Sequence, residues 1–141
     1  MLSQSNTCQC TQCRRQTGSL FLFTHRIRPA SALTFTTETS TLKYYAAGPS
    51  AVRGFCGECG SFLYWKPNSD AYTCLTIGTI DPLYLFGEGA DGTTVPKGGY
   101  SAALASGGGH HLFCANDIPG VTDNMPLLLA QGGTRWPGDN E

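Results

Sequence analysis

Three cysteines, Cys8, Cys10 and Cys13, stand as CxCxxC, and no other feature of this chain limits its fold so strongly. The spacing lets three thiolates converge on one cation from a tight turn, as tetrahedral zinc at about 2.3 Å per sulfur requires. A fourth protein ligand would close such a site into a structural one, whereas an exchangeable water or thiol would leave it open to chemistry. A second pair, Cys56 and Cys59, forms CxxC inside RGFCGECGS, where Gly57 and Gly60 permit the tight turns of a zinc knuckle. The same spacing serves redox dithiols, but the strand-to-helix context of those motifs is missing, so metal binding ranks first.

The remaining cysteines, Cys74 and Cys114, sit singly in apparent strands and read as small buried hydrophobes. His25 follows one apolar strand and His110 and His111 precede another; each reads first as a hydrogen-bonded structural residue, although any one of them could supply a fourth metal ligand. Seven cysteines cannot all pair within one chain, and they fit a reducing compartment better than a disulfide framework. With no signal-peptide pattern and no apolar run of the roughly 20 residues a spanning helix needs, the chain is expected to be cytoplasmic. Arg14 and Arg15 follow the triad directly; they would oppose its negative charge and attract an anionic ligand, or be plain surface arginines.

The net charge is −1, so no electrostatic footprint for nucleic acid or an anionic membrane is present. Only 13% of the 141 residues are charged, against 18 glycines, which favours sheets and tight turns over long solvated helices. Runs rich in aromatic and β-branched residues predict strands at Ser19 to Thr24, Leu33 to Thr36, Thr41 to Tyr45, Ser61 to Trp65, Tyr72 to Gly78 and His110 to Cys114. Thr11 to Thr17 is the helical candidate near the start, too short to stand without tertiary packing or a metal. The expected organisation is one mainly β domain over 1–141, a sandwich or barrel-like sheet. A glycine-rich loop or insertion is expected at 87–109 and an irregular tail from 115.

In combination, CQCTQCRRQTGS at Cys8 to Ser19, RGFCGECGSFLYW at Arg53 to Trp65, IGTIDP at Ile77 to Pro82 and the later HLFCANDIPGVTD resemble the glutathione-dependent formaldehyde-activating enzyme family. The resemblance implies an Mss4-like fold, β-rich and organised by zinc. It also implies carbon-sulfur lyase chemistry of the S-(hydroxymethyl)glutathione synthase type, with glutathione or another small thiol as co-substrate. By the family's pattern, Cys8, Cys10 and Cys13 would hold the catalytic-type zinc, and Cys56 and Cys59 half of a structural four-cysteine site. The substrate thiol would bind as thiolate, with Arg14, Arg15 or Arg53 holding its carboxylate through bidentate hydrogen bonds.

The family pattern has a further CxC on a first strand upstream, and the seven residues before Cys8 contain no such pair. Three explanations stay open: a truncated or rearranged member, a zinc shared between the two cysteine clusters, or ligands from Cys74, Cys114 or a partner chain. A missing strand would bare a sheet edge suited to pairing in a homodimer. The rival to an enzyme is a non-catalytic zinc-stabilised interaction module, and a third reading is a degenerate remnant without chemistry.

Overall fold

Residues 2–46, 48–105, 109–123 and 133–139 are described in the computed structural model. The first strand, β1 (Leu2–Cys8), is polar in sequence, yet Ser5, Asn6 and Thr7 are buried. Burial is offset at Asn6 and Thr7, whose side chains find partners, while Ser5 Oγ is buried without one. Asn6 Oδ1 accepts from the His110 amide at 3.2 Å, and Thr7 Oγ1 lies 2.7 Å from His111 Nδ1. Helix α1 (Thr11–Thr17) follows, at the bounds the sequence predicts, and Gly18 ends it in the left-handed region at φ 66°, its N–H reaching Arg14 O.

Strands β2 (Leu22–Ile27), β3 (Leu42–Tyr45), β4 (Ala51–Cys56), β5 (Phe62–Pro67) and β6 (Thr73–Thr76) come next. After them stand the short helices α2 (Pro82–Phe86) and α3 (Ser101–Leu104), then β7 (His110–Leu112) and β8 (Thr134–Arg135). All eight strands form one mixed sheet in the order β3-β4-β5-β6-β2-β1-β7-β8. Pairing is antiparallel throughout except where β7 runs parallel to β1 and β8 parallel to β7. The fold is thus mainly β and Mss4-like, built as one open sheet in place of the expected sandwich or barrel.

Several sequence expectations shift. Strand β1, which ends in Cys8 and carries no CxC of its own, lies inside the sheet between β2 and β7, so the edges among the described residues are β3 and β8. Leu33 to Thr36 forms no strand; it pairs with no strand among the described residues, and Phe35 is 55% exposed. The start of β2 is delayed to Leu22 by the turn that Gly18 opens. Helix α3 falls within the stretch read as a loop at 87–109, and β8 within the tail read as irregular from 115.

Two apolar clusters cover the two sides of the sheet. Cys13, Leu22 and Phe62 pack with Cys8, Cys10 and Trp65, whereas Ile77, Leu85 and Leu104 pack with Phe23, Ile80 and Phe86. Burying one such leucine, isoleucine or phenylalanine contributes roughly 1.5–3 kcal/mol. Strand β7 enters beside β1 through Gly109, where a Cβ would lie 1.6 Å from Ser5 O, so no larger residue fits that approach. Among the described residues no helix is long and apolar enough to cross a membrane.

Candidate metal centre and cavity

The three thiols of CxCxxC come from three successive pieces of backbone. Cys8 ends β1, Cys10 is the extended N-cap of α1, and Cys13 is buried in the first turn of that helix. The Cys10 sulfur accepts from the Cys13 amide at 3.4 Å, so the same thiol caps the helix and faces its neighbours. All three sulfurs lie within 4.8 Å of one another. Tetrahedral zinc–sulfur bonds set sulfur–sulfur distances of about 3.8 Å, so side-chain rotation suffices to close the set on an ion.

Electrostatics agree with that fit. Hydrogen bonds from the Cys13 and Cys8 thiols, joined by the backbone amides of Cys13 and Gln12, pull the Cys10 thiol well below its ordinary value. Cys8 and Cys13 are pushed up, chiefly by the hydrogen bond to Cys10 and then by burial. The three thiols thus oppose one another's ionisation, with Cys10 the most readily ionised, and a cation among them would favour all three thiolates. The donor set fits zinc, or another thiophilic ion of similar size.

Beside the thiols lies a cavity of about 220 Å³ whose floor is one face of the sheet. Directly opposed residues in a sheet share a face. Register therefore links Cys8 to Leu22 and Asn6 to Thr24, then runs in one row from Arg26 through Cys74 and Trp65 to Arg53. All of these side chains line the cavity. Arg53 is 5% exposed; its Nη2 donates to Gln12 Oε1 at 3.1 Å and its Nε has no partner. Across the row, Arg26 lies 4.3 Å and Arg28 5.0 Å from the ring centre of Tyr72, which also lines the cavity.

The residues singled out in the sequence separate into two groups. Cys8, Cys10, Cys13 and Arg53 share the cavity. Arg14 does not line it: its guanidinium donates to Leu20 O at 2.7 Å, Gln9 Oε1 at 2.9 Å and Asn116 O at 2.7 Å. Arg15 is exposed and outside it. Cys56 and Cys59 flank a tight turn closed by Gly60 N–H to Cys56 O, with the exposed Cys59 sulfur 3.1 Å from Ser61 Oγ. They stand apart from the triad, which is the one cluster of three or more metal-binding side chains among the described residues.

Cys74 is buried, its thiol pushed up by desolvation, and it faces the cavity. Cys114 donates to His111 O. The Nδ1 atoms of His25, His111 and His110 bond Leu104 O, Thr7 and Trp136 in turn, and no histidine joins the triad among the described residues.

Sequence reasoning did not reach Gln9, Asn116, Asp117 and Thr122. Gln9 is 1% exposed between two of the cysteines and bonds all the others, and only the HLFCANDIPGVTD resemblance pointed to that region. Among known proteins, the model of the glutathione-dependent formaldehyde-activating enzyme family matches residues 3–91, a stretch carrying both cysteine motifs. No curated protein matches the chain.

Proposed function

The chain belongs to the glutathione-dependent formaldehyde-activating enzyme family, and from that premise we propose that it is a zinc-dependent carbon-sulfur lyase-type enzyme acting on thiol adducts. The observation that carries the proposal is the convergence of three sulfurs on the wall of a cavity that also holds a buried, incompletely bonded arginine. Cys8, Cys10 and Cys13 would hold the zinc. Bound there, zinc favours the thiolate form of an incoming thiol, since three cysteine thiolates make it a weak activator of water but a good carrier of sulfur.

The chain's own residues supply the rest. Leu22, Ala51, Trp65 and Tyr72 exclude water from the reacting sulfur, and Arg53 offers its unpaired Nε–H to a substrate carboxylate. Of the three arginines singled out in the sequence, Arg53 has the geometry for this role, while Arg14 is consumed in holding the backbone. In the synthetic direction a carbon–sulfur bond forms between the thiol and an aldehyde carbon, and the thiol proton ends on the new hydroxyl. The reverse reaction breaks that bond and returns the proton to sulfur. Glutathione and formaldehyde are the first thiol and aldehyde to try. A cytoplasmic location belongs to the same proposal, supported by seven unpaired cysteines of the kind a reducing compartment preserves.

A zinc-stabilised interaction module is the second reading, favoured by Tyr44 and Tyr45, which are 59% and 54% exposed on the edge strand β3. Metal analysis of the purified full-length chain, followed by glutathione titration of the cobalt-loaded form, separates the two. A charge-transfer band that changes on adding glutathione, with turnover when formaldehyde follows, supports the enzyme. A metal whose spectrum ignores every thiol leaves the module.

A further inference from the structure

Gln9 is the residue between the first two cysteines of CxCxxC, and it is one of the most buried side chains of the chain, at 1% exposure. It is not among the cavity-lining residues. Its amide N–H donates to Leu112 O at 3.1 Å and its carbonyl accepts from Asn116 Nδ2 at 3.2 Å. The side-chain Oε1 accepts from Thr122 Oγ1 at 2.8 Å and Arg14 Nη2 at 2.9 Å, and Nε2 donates to Asp117. Arg14, just after Cys13, donates from the same Nη2 to Asn116 O at 2.7 Å. One segment, 112–122, therefore grips the CxCxxC turn on both sides.

That segment is itself held. Thr122 is wholly buried and its hydroxyl also accepts from the Ile118 amide at 2.9 Å, while Asp117 pairs with Arg135. Phe113 adopts φ 59°, a conformation that bulky residues rarely take, and this bend turns the chain from β7 back onto Gln9. A buried polar network of this kind, with each member bonded, fixes one geometry, because a displaced member leaves its partners without bonds in a place water cannot reach.

We infer that Gln9 is a positioning residue of the metal centre: with Arg14 it ties the CxCxxC turn to segment 112–122, so that the backbone carrying Cys8, Cys10 and Cys13 is held in place before a metal arrives. The inference rests on the reading that these sulfurs take zinc. It makes Thr122, which touches no sulfur, a determinant of zinc affinity. Partners of metal ligands behave this way elsewhere, with substitutions that weaken binding by roughly 10–100-fold.

The test uses the full-length chain, a chromophoric chelator competing for zinc, and the visible spectrum of the cobalt-loaded form. Thr122→Val keeps the shape and removes the hydroxyl, Thr122→Ser restores it, and Gln9→Leu removes the hub. Zinc affinity is expected to fall about tenfold or more in Thr122→Val and Gln9→Leu, with an altered cobalt spectrum, and to recover in Thr122→Ser. A Thr122→Val chain that melts earlier but keeps the wild-type zinc affinity and cobalt spectrum overturns the inference, since that pattern marks a purely structural contact. If Gln9→Leu does not fold, the Thr122 pair decides. Wild-type chain that takes no zinc overturns this inference together with the reading beneath it; tight binding by wild type and equally tight binding by Thr122→Val overturns the inference alone.

Discussion

Arg53 Nη2 donates to Gln12 Oε1 at 3.1 Å, joining strand β4 to the first turn of the helix that carries Cys13. A neutral amide is a poor counter-charge for a buried guanidinium, and the Nε of the same group has no acceptor. Burying an ion so incompletely paired costs stability, and an apolar residue of similar size at this position removes that desolvation cost. Arg53→Met is therefore expected to hold or raise the melting temperature while weakening a carboxylate-bearing thiol by about tenfold, the scale of one charged hydrogen bond. Thermal denaturation and thiol titration of the same samples check this. Affinity and stability falling together would instead make Arg53 a packing residue.

Gly54, next to Arg53, is packed against the Tyr64 ring of the paired strand. A Cβ built there would lie 2.5 Å from Tyr64 Cζ, inside any real contact distance. Tyr64 is buried and its ring meets Tyr44 edge to face at 6.5 Å, so it has little room to retreat. Gly54→Ala should cost roughly 1–3 kcal/mol, the usual range for overpacking, and urea denaturation measures it. A loss under half a kilocalorie would mean that the ring swings away freely.

How much of this was legible depends on how far each signal reaches along the chain. Helix α1 and strands β3, β5 and β6 announce themselves through local runs, and the CxCxxC spacing reports directly on three sulfurs that converge. Strand β1 was opaque because LSQSNTC carries no apolar alternation; its burial depends on Asn6 and Thr7 finding His110 and His111 on β7, 104 positions away. Leu33 to Thr36 had the composition of a strand, but the segment pairs with no strand among the described residues and Phe35 stays 55% exposed. Arg14 looked like an anion binder beside the thiols, and what removed it from that role was three acceptors supplied by Leu20, Gln9 and Asn116. Pairing between distant residues leaves no local mark, which is why Gln9 and Thr122 went unread.

The two cysteine clusters should respond differently to substitution. Cys10 is the helix cap and accepts from the Cys13 amide, so Cys10→Ser removes one of three sulfur ligands and the most readily ionised of them. Zinc content should fall to background. Cys59 is exposed and bonded to Ser61, and no third metal-binding side chain joins Cys56 and Cys59 among the described residues. The double replacement Cys56→Ser with Cys59→Ser should keep the zinc of the triad, as elemental analysis of each purified chain would show. Loss of all zinc in the double variant would mean that the two clusters share one ion.

Acidification should report on β7 and β8 through His110. Burial first, then the Arg26 charge, hold its imidazole below the ordinary value of 6.5, so near that pH the folded chain binds fewer protons than the unfolded one. The stability it contributes is full above the unfolded value and is lost as pH falls through the depressed folded value. The structural cause is visible: His110 Nδ1 accepts from Trp136 Nε1 at 3.1 Å, and a proton on that nitrogen abolishes the acceptor. The indole N–H resonance of Trp136 should therefore shift in a single step below pH 6.5 and lose that step in His110→Phe. A midpoint above 6.5 would show that a negative charge, and not burial, governs this histidine.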